Sequence, residues 1–420
     1  MSPSLLMLGL AISASAGASE EAQPGAAGGP GLALHAAKVL TCAWDGPQHL
    51  DHATILVRDG LIEAVGRELE VPAGFTELDL GEGWVMPGMV DLHSHVGGNR
   101  RDINDMVLQI NSGLRVAPTV IAGNDALDLA VAAGVTTVLY IPGSGTNMGG
   151  QGVLMKTGTE TFETTIVRDP GSLKVAQGDN PTRWCYGMGR LLMNYHLRDT
   201  FEKGLAYAAA WDAYEAGEGA RPERQIHLDV FRVLAAGETE ISTHTQYYQL
   251  VMMSIQMLAV DYGFRAYIDH GSFDSYLNSE RAEEAGVAAI LGPRQVMWPR
   301  PPRFSTGGEV HGSAWGFQQR NHPQIGFNTD APVVPQEELP LQGAMGARYG
   351  FDGSQLEVVR GLTIVPARTA GIAHRVGSVE AGKDADLVVI TGDPADPRSW
   401  VERVWIEGRE VYDAEEQRRW

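Results

Sequence analysis

A chain of 420 residues, 44% of them hydrophobic, can enclose one large core, and a single barrel with a small appended domain fits that length. Its formal net charge of −20 would repel phosphate backbones and anionic lipid, which argues against nucleic acid and membrane surfaces as partners. Cys42 and Cys185 are the only two cysteines and lack CxxC spacing, so neither a disulfide framework nor a thiolate metal site is expected, and any metal must rest on nitrogen and oxygen ligands.

The chain opens on an apolar run, residues 5–12, followed by small residues through Ala18. This resembles an export signal cleaved near Ala18, and it is too short to span a bilayer. Residues 1–31 are read as this signal-like segment and an Ala/Gly/Glu/Pro-rich linker, so export to the periplasm or the medium is expected; if the segment is a plain tail instead, the protein is cytoplasmic. From residue 32 to 85 short alternating segments dominate, with Asp59-Gly60 between the apolar runs 54–57 and 61–65, a strong hairpin signal. The same texture returns in residues 385–390 and 404–406. Segments 32–85 and 375–415 are therefore expected to meet in one discontinuous β-sandwich.

Between them, residues 86–374 alternate strand-like and helix-like stretches, which predicts βα units around a barrel. Residues 124–133 read as a helix stopped by Gly134 and followed by a buried strand, 135–141. An apolar helix over 246–261 precedes a strand at 264–268. Strands are expected to end near His95, Ile141, Lys156, Lys174, His244, His270, Leu291 and Asp330, the eight that a closed (β/α)8 barrel needs. Residues 178–238 exceed one crossover and predict a helical insertion, clearest over 195–215.

Chemistry collects at these strand ends. In Asp91-Leu92-His93-Ser94-His95 the two histidines, two residues apart on a strand, face one side and can reach one ion. His244, His270 and Asp330 close later strands, at the rim where barrel active sites are built. Neutral imidazoles with carboxylate oxygens suit zinc and similar divalent ions. The glycines of residues 143–152 lack the Gly-Lys-Ser/Thr ending of a phosphate loop and more simply let a loop pass close to the site. Arg183, His311 and His322 are candidates for contacting a substrate.

The run from Pro87 to His95 resembles the first-strand motif of the amidohydrolase superfamily, and residues 377–388, Gly-Ser-Val-Glu-Ala-Gly-Lys-Asp-Ala-Asp-Leu-Val, resemble its carboxyl-terminal signature. Residues 329–332, 362–367 and the spacing of His244 and His270 extend the likeness over nearly the whole chain. Within the superfamily, residues 149–158 and 173–181 are similar to the imidazolonepropionase-like and prolidase-like branch.

The resemblance implies a metal-dependent hydrolase acting on carbon–nitrogen bonds through a metal-bridging hydroxide. Two divalent ions, zinc in the first instance, would be held by His93, His95, His244, His270 and Asp330. A lysine carboxylated by CO2 would bridge them: Lys174, which ends the fourth strand, with Lys156 as the alternative. Asp330 would also move the proton. The expected partner is a small molecule such as a dipeptide or an N-acyl amino acid, and self-association, as a homo-oligomer, is left open. Two departures bear on the reaction. Tyr247 stands three residues after His244, where deaminating relatives carry glutamate, and Gly271-Ser272-Phe273 follows His270, where Cys-Thr-Glu is common. The first counts against a one-metal deaminase; a cyclic amidase, a lactone or ester hydrolase and a non-catalytic scaffold are the other readings.

Overall fold

The computed structural model describes residues 29–185, 187–297 and 311–418. The export-signal reading falls on residues outside these. The described chain begins with β1 (Gly31–Leu40), β2 (His49–Arg58), β3 (Leu61–Gly66), β4 (Phe75–Asp79) and β5 (Trp84–Pro87). The Asp-Gly turn lies between β2 and β3, with φ of +51° at Asp59 and +81° at Gly60, the left-handed pair that a tight hairpin requires.

Eight further strands form a second sheet: β6 (Met89–Ser94), β7 (Val135–Tyr140), β8 (Met148–Lys156), β9 (Ile166–Gln177), β10 (Ile241–Gln246), β11 (Ala266–Ser272), β12 (Ala288–Leu291) and, after the two-residue strands β13 (Val296–Met297) and β14 (His311–Gly312), β15 (Ile325–Phe327). They follow the path β15-β12-β11-β10-β9-β8-β7-β6. A bridge from Ser94 to Ala331, with His95 N–H donating to Ala331 O at 2.8 Å, brings the two ends of the path together into a nearly closed barrel. The eight expected strand ends all find their strand.

One strand runs the other way. β8 pairs antiparallel with both β7 and β9. Only residues 141–147 separate it from β7, and parallel neighbours need a crossover of about a dozen residues or more. The reversal carries Lys156 to the opposite rim from Lys174. There its buried Nζ donates to Asp384 Oδ2 at 2.9 Å and Asp386 Oδ2 at 2.6 Å. The alternative bridging lysine is thus committed to the carboxyl-terminal segment and lies away from the histidines.

The chain ends in β16 (Leu387–Ile390), β17 (Val401–Ile406) and β18 (Arg409–Asp413). These join β1–β5 in one sheet, ordered β18-β17-β16-β5-β1-β2-β3, while β4 pairs with β1. Leu34, Ile55, Val85, Leu387 and Trp405 are buried together there. Both ends of the sequence therefore share a hydrogen-bonded sheet, as their common texture suggests.

Helices cover the barrel. Asn124 caps the helix Asp125–Ala132 by accepting from Ala126 N and Leu127 N, and Gly134, at φ +83°, ends it as expected. The insertion helix is longer than its sequence signal, Arg190–Glu215, and packs Phe201 edge-on against Phe231 and Phe264. The apolar stretch after β10 forms the helix Tyr248–Ile255 and then a π-helical segment, Gln256–Asp261. Among the described residues no helix is long and apolar enough to cross a membrane.

Candidate active site

Along β6, Val90 and Leu92 pack outward against Val365 and Ala367, so alternation turns Asp91 and His93 inward, and His95 follows on the same side. Asp91 is fully buried and accepts from His93 N, from Thr329 N and Oγ1, and from Gln336 Nε2 at 2.6–3.0 Å. It thereby ties the first strand to the segment that carries Asp330. Burial pushes its carboxyl up to about 6 despite these donors.

Three rings are oriented by partners behind them. His95 Nδ1 lies 2.8 Å from Ile141 O, His270 Nδ1 lies 2.9 Å from Gly292 O, and His93 Nδ1 lies 2.6 Å from Asp269 Oδ2. Ile141 O and Gly292 O accept, so His95 and His270 carry their protons outward and present Nε2 to the centre, while the Asp269 carboxylate pairs with the outer nitrogen of His93 and turns its Nε2 the same way. His93 Nε2 is 3.1 Å from His95 Nε2, 3.2 Å from Asp330 Oδ1 and 3.4 Å from Lys174 Nζ. His270 Nε2 meets His244 Nδ1 at 2.7 Å. The His244 ring fits because position 178 is glycine: a Cβ there would stand 2.9 Å from its Cδ2.

The structure thus brings His93, His95, Lys174, His244, His270 and Asp330 together at one rim. It adds Asp269, which the sequence reading passed over, because adjacent residues on a regular strand face opposite sides. His270, at φ +78°, breaks that alternation, and both side chains reach the cluster. Asp330, Tyr247 and Phe273 also have positive φ, of +51°, +68° and +60°. Such strain costs roughly 1–3 kcal/mol per residue and tends to persist where function holds it.

A cation suits this arrangement. His93 and His95 bring their inward nitrogens to 3.1 Å, and His270 Nε2 meets His244 Nδ1, which also faces Ser144 Oγ at 3.0 Å, across 2.7 Å; a proton or a metal between such paired nitrogens relieves the repulsion of opposed lone pairs. Two sets, His93 with Asp269 and His270, and His93 with His95 and Asp330, have ligand atoms within 4.8 Å of one another. Imidazole nitrogens with carboxylate oxygens are the donor set of zinc-type sites.

The charges agree. Burial lowers His93, but Asp269 and Asp330 outweigh it and raise the ring to about 9. Burial brings His270 down to about 4 and holds His244 well below the ordinary value. Asp269 and Asp330 are held low despite burial, with His93 the largest opposing influence. Burial also lowers Lys174, against the pull of Asp269 and Asp330. Desolvation therefore favours the neutral amine that carboxylation requires.

A cavity of about 1270 Å3 opens over His244, His270 and Asp330. Arg183 lines it, as do Tyr247 and Phe273, whose rings stack at 4.6 Å and 14°. Tyr247 Oη donates to Asp179 Oδ2 at 3.1 Å. His322 is not on this wall: it is buried against Phe317, and burial lowers it to about 4. The side chain of His311 lies outside the described residues.

Residues 325–411 match the Amidohydrolase family. "Amidohydrolase tasK" of Hapsidospora irregularis is 24% identical over 397 residues, 86% of this chain, which spans only 40% of that protein's length. "Imidazolonepropionase" of Sphingopyxis alaskensis is 25% identical over 388 residues, covering 86% of this chain and 92% of that one. A solved amidohydrolase from Thermotoga maritima MSB8 superposes with a TM-score of 0.80 at 28% identity, over 91% of this chain and all of that one. Solved prolidases share the fold at lower identity.

Proposed function

We propose, for a chain that belongs to the amidohydrolase family, that its reaction is hydrolysis of the amide bond of a small substrate, a dipeptide or an N-acyl amino acid. The observation that carries this is the convergence of four histidines, Lys174 and Asp330, of which His244, His270 and Asp330 line a cavity. His93, His95 and Asp330 would hold one divalent ion, His244 and His270 a second, with carboxylated Lys174 between them. Bound there, zinc-type ions supply a water acidified to near pH 7 and a polarised carbonyl.

The protein's own groups do the rest. Ile141 O, Gly292 O and Asp269 face the outer nitrogens of His95, His270 and His93, so the inward nitrogens are the ones turned to an ion, which would displace the second proton that His93 otherwise holds. Asp330, at the cavity floor, takes the proton of the attacking water and passes it to the leaving nitrogen, which could not depart as an amide anion. Water adds OH to the acyl carbon and H to the amine as the C–N bond breaks. Tyr247, engaged with Asp179, offers no carboxylate where a deaminase would need one.

A second reading is ring opening of a cyclic amide. The imidazolonepropionase relatives favour it, and it would use the same groups. Purified protein loaded with zinc or manganese, assayed with an Asp330→Asn variant against dipeptides, N-acyl amino acids, cyclic amides, lactones and aminated heterocycles, tests both. Cleavage of linear amides that is lost in the variant is expected. Ammonia release from heterocycles without amide cleavage would overturn the reading. Export belongs to the same proposal and is checked by amino-terminal sequencing of the mature protein.

A further inference from the structure

One face of the helix Leu339–Arg348 forms a wall of the cavity. Leu341, Ala344, Met345 and Arg348 follow at the three- and four-residue spacing that keeps side chains on one side of a helix. The other side is already docked: Leu339 is buried, and Gly343 and Gly346 sit against Val358 and Phe327. Yet Leu341 and Met345 are 40% and 41% exposed, and Val333, on the same wall, is 63% exposed. Large apolar side chains held open to a cavity lined also by Asp330 form a surface suited to an apolar ligand group.

Cations border this strip. Arg348 closes it, and Arg183 and Arg294 line the same cavity. Among the described residues none of the three is paired with an acid, in a chain with 52 acidic and 32 basic residues. Of the acids on the wall, Asp179 is engaged by Arg190 and Tyr247, and Glu338 precedes the helix, at the opposite end from Arg348. Unpaired arginines in a concave, largely acidic protein favour a carboxylate ligand. The volume of about 1270 Å3 also exceeds the roughly 300–1,000 Å3 usual for small-ligand clefts, leaving room beyond a short dipeptide.

We infer that the helix Leu339–Arg348 is an acyl-chain wall: the substrate is an N-acylated amino acid whose apolar chain of several carbons lies on Val333, Leu341 and Met345 and whose carboxylate is met by the arginines. The inference rests on the amide-hydrolase reading of the site.

N-alkylsulfonyl glycines carry the same chain and carboxylate about a bond that amide hydrolysis does not cleave. Titration calorimetry of the full zinc-loaded protein with these compounds therefore reads binding apart from turnover. Each added methylene should tighten binding about two- to fourfold, the upper figure being that of full burial. A Leu341→Asp, Met345→Asp double variant should flatten the series, the milder Leu341→Ala should reduce its slope, and Arg348→Ala should weaken the acids more than the matching glycinamides. A flat series in the unmodified protein, or an unchanged one in the double variant, overturns the inference. Protein that binds the series but cleaves no amide refutes the reaction and keeps the wall; amide cleavage with a flat series does the reverse.

Discussion

His93 stands at the centre of the cluster, its outer nitrogen held by a buried carboxylate and its inner one facing His95, Asp330 and Lys174. Asp269 thus holds the ring in place and stabilises positive charge on it. Asp269→Ala should weaken metal affinity about 10- to 100-fold, the usual effect of removing such a support, with Asp269→Asn milder; chelator competition measures it. Gly178→Ala tests a steric support in the same way. Its Cβ would drive the His244 ring off its present line, so zinc affinity should fall while the unfolding midpoint of the metal-free protein changes little. The histidines were legible because residues two apart on a strand share a face, and because strand ends of a barrel gather at one rim. Asp269 was not, since it is a left-handed residue, His270, that lets two neighbours point the same way, and no residue type announces that conformation as glycine would.

At the scale of elements, the reversed strand β8 decides what its lysine does. Lys156 is 1% exposed and paired with two carboxylates of the carboxyl-terminal segment. Replacing it with methionine leaves Asp384 and Asp386 with a buried charge less well matched, which should cost about 3–5 kcal/mol in denaturant unfolding without moving metal affinity. The pH dependence follows from the sign of the shift. Burial lowers the Lys156 amine, but Asp386 and Asp384 raise it above the ordinary 10.5. Its stabilisation is therefore full below that value and is lost as pH climbs through the raised one. The Lys156→Met variant should lack this alkaline loss. Strand existence was legible from apolar runs; strand direction was not, because it hangs on the short link 141–147, whose length matters only once its neighbours are known.

For the molecule as a whole, the barrel closes through Asp91, Thr329 and Gln336 and through the Ser94–Ala331 bridge, beside the cluster. Metal bound across strands β6, β10 and β11 and the segment after β15 would tighten that closure, since a ligand stabilises the state that binds it, by about 4 kcal/mol at a thousandfold excess over Kd. Chelation should lower the calorimetric unfolding temperature, and zinc should restore it. The meeting of the two chain ends was legible in their shared alternation. The way β1 is shared among β2, β4 and β5 was not, because alternation tells which face a residue takes and not which strand lies beside it.

The central claim, that these side chains form a two-metal hydrolytic centre, is tested most directly by anomalous diffraction at the zinc edge on crystals of zinc-loaded protein. The account predicts two peaks about 3.5–4 Å apart, one beside His93, His95 and Asp330, the other beside His244 and His270, with density for a carboxylated Lys174 between them. A single peak would contradict the bridging role of Lys174, and no peak within ligand distance of these histidines would contradict the centre itself.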